Sequence, residues 1–266
     1  MTNLLDNSAR PPSAALTPGY RVVITGAAGV IGGWIADEFA RQGASLLLSD
    51  QTIRSLQADR AANRWPDVSV HIHEADLCDP ESVDKLVKVI GDRFGAPDAL
   101  VNNAGVYPHS ALLDVTRDSW DSIIATNLTA PFLLTQGVAR LMIANDVGGS
   151  IVNIASGAAL TVSPGGTPYS VSKAALVMLT RGSALELAPY RIRVNAVGPG
   201  FAPGSSVSPL DPEYVASMAA TIPLGRTSGP GDTPAFVVYL CSPAAAFITG
   251  TFMNIDGGRT AGPVMR

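Results

Sequence analysis

The chain has 266 residues, 47% of them hydrophobic and 15% charged, which is enough apolar material for a continuous core and excludes a disordered polymer. Eighteen basic side chains against 22 acidic ones leave a formal charge of −4, so no basic field invites nucleic acid or an anionic membrane. Two cysteines, Cys78 and Cys241, are too few for a disulfide framework and point to a reducing, cytoplasmic setting.

Residues 1–18 lack a basic start and an apolar run, so they are expected to be a flexible tail rather than a signal peptide. No stretch reaches the length of a membrane-spanning helix. From Gly19 onward, short apolar runs alternate with longer amphipathic stretches. Strands are expected at 21–25, 45–48, 68–72, 99–101, 150–154, 191–195 and 252–255. Helices are expected near 31–42, 52–64, 80–94, 117–145, 168–188 and 232–241. Short Val/Ile/Leu-rich strands, each followed by a helix, predict a Rossmann-type doubly wound α/β fold with a seven-stranded parallel sheet. One domain is expected over 19–258, with a short carboxy-terminal tail at 259–266.

The first strand runs into TGAAGVIG at 25–32 and then into a helix. Glycines there allow a tight turn and let backbone N–H groups reach a pyrophosphate at the helix amino end. Gly26, Gly29, Ile31 and Gly32 are the candidate contacts. Asp50 closes the second strand, where a carboxylate can accept from both ribose hydroxyls of NAD and repel the 2′-phosphate of NADP. The alternative is that Asp50 merely caps the next helix.

Tyr169 and Lys173 stand four residues apart at the start of a helix and share one face. A free phenol is a poor base at neutral pH, and a neighbouring ammonium favours phenolate, as a general acid–base requires. Ser156, just past the fifth strand, can hold a substrate oxygen against that phenol. Asn127 lies in an apolar run with Pro131 four residues on. Proline has no N–H, so the Asn127 carbonyl loses its helical partner and becomes a candidate water site. The alternative is a kinked structural helix with a surface asparagine.

Together these residues resemble the short-chain dehydrogenase/reductase family. The likeness also takes in Asp76–Leu77, NNAG at 102–105, Pro199–Gly200 and Asp256–Gly257–Gly258. The resemblance implies that Tyr169 is the acid–base, Ser156 steadies the substrate oxygen, Lys173 lowers the tyrosine pKa and holds a ribose, and Asn127 supports a water relay. It implies that Asp76 and Leu77 flank the adenine, and that Asn103, Ala104 and Gly105 lie along the adenosine side. Residues 192–197 with Pro199 and Gly200 would line the nicotinamide pocket. It further implies a homotetramer built through the helix that begins near Tyr169, the next helix and the last strand. Two positions depart from the family pattern. Val30 replaces the usual middle glycine, giving TGxxGxxG, and Gly204 stands where a threonine is common.

The function expected is hydride transfer between NAD and a small alcohol or ketone. A non-catalytic NAD sensor and an epimerase or dehydratase are the alternatives. Segments 94–116, 142–172 and 194–225, which can line the site mouth, contain no Lys or Arg, so an uncharged substrate is expected. The Gly/Pro-rich stretch from Pro199 to Pro212 is expected to be a mobile lid. His71, His73 and His109 show no metal-site spacing, and no metal is expected.

Overall fold

The computed structural model describes residues 13–204 and 210–262. Seven parallel strands form one sheet in the order β3-β2-β1-β4-β5-β6-β7. They are β1 (Arg21–Thr25), β2 (Ser45–Asp50), β3 (Val70–Glu74), β4 (Ala99–Asn102), β5 (Ser150–Ile154), β6 (Arg193–Pro199) and β7 (Phe252–Ile255). The helices are α1 (Val30–Arg41), α2 (Arg54–Ala61), α3 (Pro80–Phe94), α4 (Arg117–Ile124), α5 (Ala130–Ala144), α6 (Thr167–Leu187), α7 (Pro212–Ala220) and α8 (Thr233–Cys241).

Alternation along each strand divides the core into two layers. Val22, Ile24, Leu46, Leu48, Val152 and Ile154 face α1 and α8, whose Ile35, Phe39, Val237 and Leu240 complete that layer. Val23, Leu47, Leu100 and Ile151 face the other way, onto Leu86 and Ile90 of α3 and Leu134 and Val138 of α5. Burial on both faces explains why the strands read as unbroken apolar runs. The strand order reverses between β1 and β4, which opens a crevice at their carboxyl ends, where this class of sheet binds ligands.

One expected helix is corrected. The helix expected over 117–145 is interrupted at Ala125–Thr129 by a wider turn in which the Ala130 N–H bonds the Ala125 carbonyl, five residues back. Pro131 cannot supply the next amide hydrogen, so the ladder widens there. A helix that the sequence reading did not place, α7, begins where the Gly/Pro-rich stretch ends, because the Asp211 carboxylate accepts from the Glu213 and Tyr214 amides and Pro212 suits a first helical turn; residues 205–209 of the expected lid lie outside the described residues. Of the tail expected at 1–18, residues 1–12 lie outside the described residues; in the remainder the Ser13 carbonyl accepts from Ala244 N at 3.1 Å and Leu16 joins the core. Beyond Gly258, Thr260 is tied to Asp256 by its amide at 2.9 Å and its hydroxyl at 2.6 Å. Among the described residues, no helix is long and apolar enough to cross a membrane.

Candidate active site

β1 delivers Thr25 to the crevice, and Gly26 turns the chain at φ +62°. A Cβ on Gly26 would stand 2.6 Å from Ala104 Cα, so both the conformation and the space require glycine. A Cβ on Gly32 would collide with the Gly26 carbonyl oxygen. Gly29 is the residue before the first turn of α1, at φ −75°, and no side chain caps the helix. Val30 in place of a glycine is accommodated because it simply begins α1. Ile31, partly buried, packs against the core.

The NNAG segment secures this turn. Asn103 Nδ2 donates to the Thr25 and Gly26 carbonyls, both at 2.9 Å, and Thr25 Oγ1 accepts from Asn103 N and Ala104 N at 3.1 and 3.2 Å. Sequence reasoning missed Thr25, whose residue type is common and whose partner lies far along the chain. Asp50 Oδ2 accepts from Ala28 N at 3.0 Å, so the carboxylate lies against the same turn. Asp76 Oδ1 accepts from Cys78 N at 2.9 Å, and Leu77 rests on the lower core layer. An uncapped helix amino end, a glycine cradle and a carboxylate beside them fit a dinucleotide's pyrophosphate and ribose.

The second half of the site gathers at the carboxyl end of β5. Ser156 follows that strand, and its Oγ accepts from Ala158 N at 3.1 Å. Tyr169 and Lys173 project from the first turns of α6. Burial drives the Tyr169 phenol above its ordinary value, and the neighbouring Ser156 hydroxyl acts less strongly in the other direction, favouring the phenolate. The lowering expected from Lys173 is therefore not realised in the protein alone. The Lys173 ammonium lies 5.7 Å from the Tyr169 ring centroid and donates to the Ile154 carbonyl at 2.8 Å. Burial lowers its own pKa to about 8. Gly105 comes close to it: a Cβ there would lie 3.3 Å from both Lys173 Nζ and Asn127 Oδ1.

Asn127 is fully buried and so is not the surface asparagine of the alternative reading. Its Oδ1 accepts from Val106 N at 2.9 Å, and its Nδ2 donates to Val106 O at 2.9 Å and Ser172 Oγ at 3.0 Å. The side chain thus clamps the loop after β4 to α6, a role that neither Val106 nor Ser172 announces in the sequence. Pro199 ends β6, and Gly200 N donates to the Ile255 carbonyl at 2.8 Å, joining this turn to the Asp256–Gly258 segment. A cavity of about 630 Å³ lies beside Gly200, between Phe201, Ile222, Leu224 and Asp256, and Tyr169 does not line it. Gly204 is the last described residue before Ser205 and Ser206, which lie outside the described residues.

Comparisons with known proteins agree with this geometry. A family model described as enoyl-(acyl carrier protein) reductase matches residues 26–260. A sorbitol dehydrogenase of Cereibacter sphaeroides is 31% identical over 90% of this chain and 97% of its own length. A 3-oxoacyl-(acyl-carrier-protein) reductase of Aquifex aeolicus is 34% identical over 89% of this chain and 95% of its own. Among solved structures, a 4-hydroxyisoleucine dehydrogenase complexed with NADH superposes with TM-score 0.83 at 31% identity, over 92% of this chain and all of that one. With the glycine turn, the Ser156–Tyr169–Lys173 cluster and the doubly wound sheet in place, the chain belongs to the short-chain dehydrogenase/reductase family of NAD(P)-using oxidoreductases.

Proposed function

We propose that this protein moves hydride between NAD(H) and a small, uncharged alcohol or ketone, with Tyr169 handling the proton. The observation that carries the reading is the buried Lys173, anchored on the Ile154 carbonyl 5.7 Å from the Tyr169 ring centroid, with Ser156 beside the phenol at the end of β5. The dinucleotide would rest on the Gly26–Gly32 turn, Asp50, Asp76, Leu77, Asn103, Ala104, Gly105, Lys173, Pro199 and Gly200. When bound, it supplies the hydride acceptor or donor. Ser156 orients the substrate oxygen. Tyr169 takes the hydroxyl proton during oxidation and returns it during reduction, a step that typically contributes about 10²–10⁴-fold. Lys173, anchored on the Ile154 carbonyl, keeps a positive charge near the phenol when protonated. Asn127 acts at one remove, by fixing the loop that follows β4.

The substrate class follows from charge. No Lys or Arg occurs in 94–116, 142–172 or 194–225, so no cation of these segments is available for a phosphate or a carrier's phosphopantetheine. Arg226, at the edge of the neighbouring cavity, is held by Asp232 at 2.6 Å. Tyr107, Leu160, Val162 and Tyr214 stand exposed on those same segments instead. A homotetramer and a cytoplasmic setting complete the proposal, the latter in keeping with two free thiols. The test is Tyr169→Phe, which removes the ionisable hydroxyl and keeps the ring. Turnover of simple secondary alcohols with NAD should fall at least 100-fold while NADH still binds, as read by nicotinamide fluorescence. Wild-type turnover in that variant would overturn the assignment.

A further inference from the structure

One polar group near Tyr169 has no task in the reaction described above. The Tyr107 ring meets the Tyr169 ring edge to face, with centroids 6.2 Å apart, and is 63% exposed. Its hydroxyl has no hydrogen-bond partner among the described residues. Yet the side chain is no loose surface tyrosine, because the loop that carries it is fixed on both sides. Asn127 grips the amide and the carbonyl of Val106, the preceding residue. Pro108 stiffens the chain immediately after it. Ser110 N then donates to the Gly165 carbonyl at 3.1 Å, which ties this loop to the segment that leads into Tyr169. His109 travels with it, its Nδ1 3.4 Å from the point where a Cβ on Gly165 would stand. The result is a positioned phenol, open to the site, on a stretch without any cationic side chain.

A hydroxyl placed in this way has a definite use. A neutral donor–acceptor with no protein partner meets its hydrogen-bonding need from solvent until a ligand replaces that water, and a ligand lacking a matching group loses that bond. The contact between the two rings sets the Tyr107 side chain next to the one that serves the reacting oxygen. We infer that Tyr107 is a specificity-determining residue that hydrogen-bonds a second substrate oxygen adjacent to the reacting one, so that a vicinal diol or the corresponding hydroxyketone is preferred over a monofunctional alcohol. This inference rests on the reading of Tyr169 as the proton-handling group.

The test compares cyclohexane-1,2-diol with cyclohexanol in the wild-type enzyme and in Tyr107→Phe. The phenylalanine keeps the ring contact and removes only the hydroxyl. The ratio of kcat/KM for the diol to that for cyclohexanol should fall about three- to tenfold in the variant, the usual effect of one neutral hydrogen bond. A ratio that moves less than threefold means that Tyr107 is only an apolar wall, and the inference is overturned. Thermal-shift titration of the NADH complex with the same two compounds keeps the two readings apart. If neither compound is oxidised but the diol stabilises the wild type more than it stabilises Tyr107→Phe, diol recognition stands and the proposed chemistry falls. Equal stabilisation of both proteins by the diol overturns the inference independently of turnover.

Discussion

Lys173 illustrates how one side chain sets a cost that function requires. Its ammonium is buried against Ile154, and desolvation lowers its pKa from 10.5 to about 8. A lowered folded-state pKa on a base means that the unfolded chain binds more protons between those two values. The penalty is therefore complete below pH 8 and is relieved as pH rises toward 10.5, at roughly 1.4 kcal/mol per pKa unit, or about 3 kcal/mol in all. Lys173→Met should raise the melting temperature at pH 7, and the gap to wild type should close by pH 10; calorimetry at both pH values checks the sign. Activity should be lost at either pH. At Asp50 the prediction concerns discrimination. The carboxylate lies on the glycine turn, while Arg54, exposed at the start of α2, is the nearby cation that favours a phosphate. NAD should give the higher kcat/KM. Asp50→Ser should shift the NAD/NADP ratio toward NADP on the order of tenfold, the effect of about 1.4 kcal/mol, measured by initial rates at 340 nm.

The interrupted helix between α4 and α5 shows how an element can be shaped to serve a site. Pro131 widens one turn, and within that turn Asn127 is turned fully inward. Three hydrogen bonds converge on its amide, to Val106 N, Val106 O and Ser172 Oγ. Asn127→Ala leaves those buried partners unsatisfied at about 1–3 kcal/mol each when no water replaces the amide. The expected loss is about 2–4 kcal/mol, seen as a lower urea midpoint with an unchanged slope. Faster hydrogen exchange at the Val106 amide should accompany it. Turnover should fall as well, since the clamped loop bears Tyr107 against Tyr169. Buried polar ties also cross the sheet itself: Asn102 Nδ2 donates to Asn153 Oδ1 at 2.8 Å, and Asn153 Nδ2 to Thr180 Oγ1 at 2.9 Å. These bonds hold β4, β5 and α6 in one arrangement, and α6 carries the Tyr169 and Lys173 side chains.

The molecule's surface bears on assembly. Along α6, Val171, Met178 and Leu185 recur at seven-residue intervals and are 43%, 62% and 79% exposed. Residues two turns apart share a helix face, so these three form an apolar stripe on the side away from the sheet. Phe132 of α5 is exposed as well, and Phe247 and Met253 are exposed beyond α8 and on β7. Exposed apolar surface of this kind is what the proposed homotetramer would bury. Met178→Glu should shift a tetramer toward smaller species in sedimentation velocity at micromolar concentration. Tetramer retained by that variant would move the interface elsewhere.

Periodicity and punctuation carried most of the architecture on their own. β1, β5 and β7 begin and end where the alternation of apolar runs and turns put them, because strands buried on both faces must be continuously apolar. The glycine turn, the Asp50 position, and the Tyr169–Lys173 pair one helical turn apart were equally legible, since each depends on local spacing. Where helices started was harder to read: α7 was hidden by flanking Gly and Pro, although Asp211–Pro212 is itself a helix-initiating pair. What only the tertiary structure decided were the long-range partners. Asn103 holds a turn 77 and 78 residues away, Asn127 clamps Val106 and Ser172, and Tyr107 meets Tyr169. It also decided the balance at Tyr169, where burial outweighs the opposing influence of Ser156. Local spacing fixes which face of an element a side chain occupies. Packing alone determines what lies across from it and how much water is left there, and those two quantities set hydrogen-bond partners and pKa values.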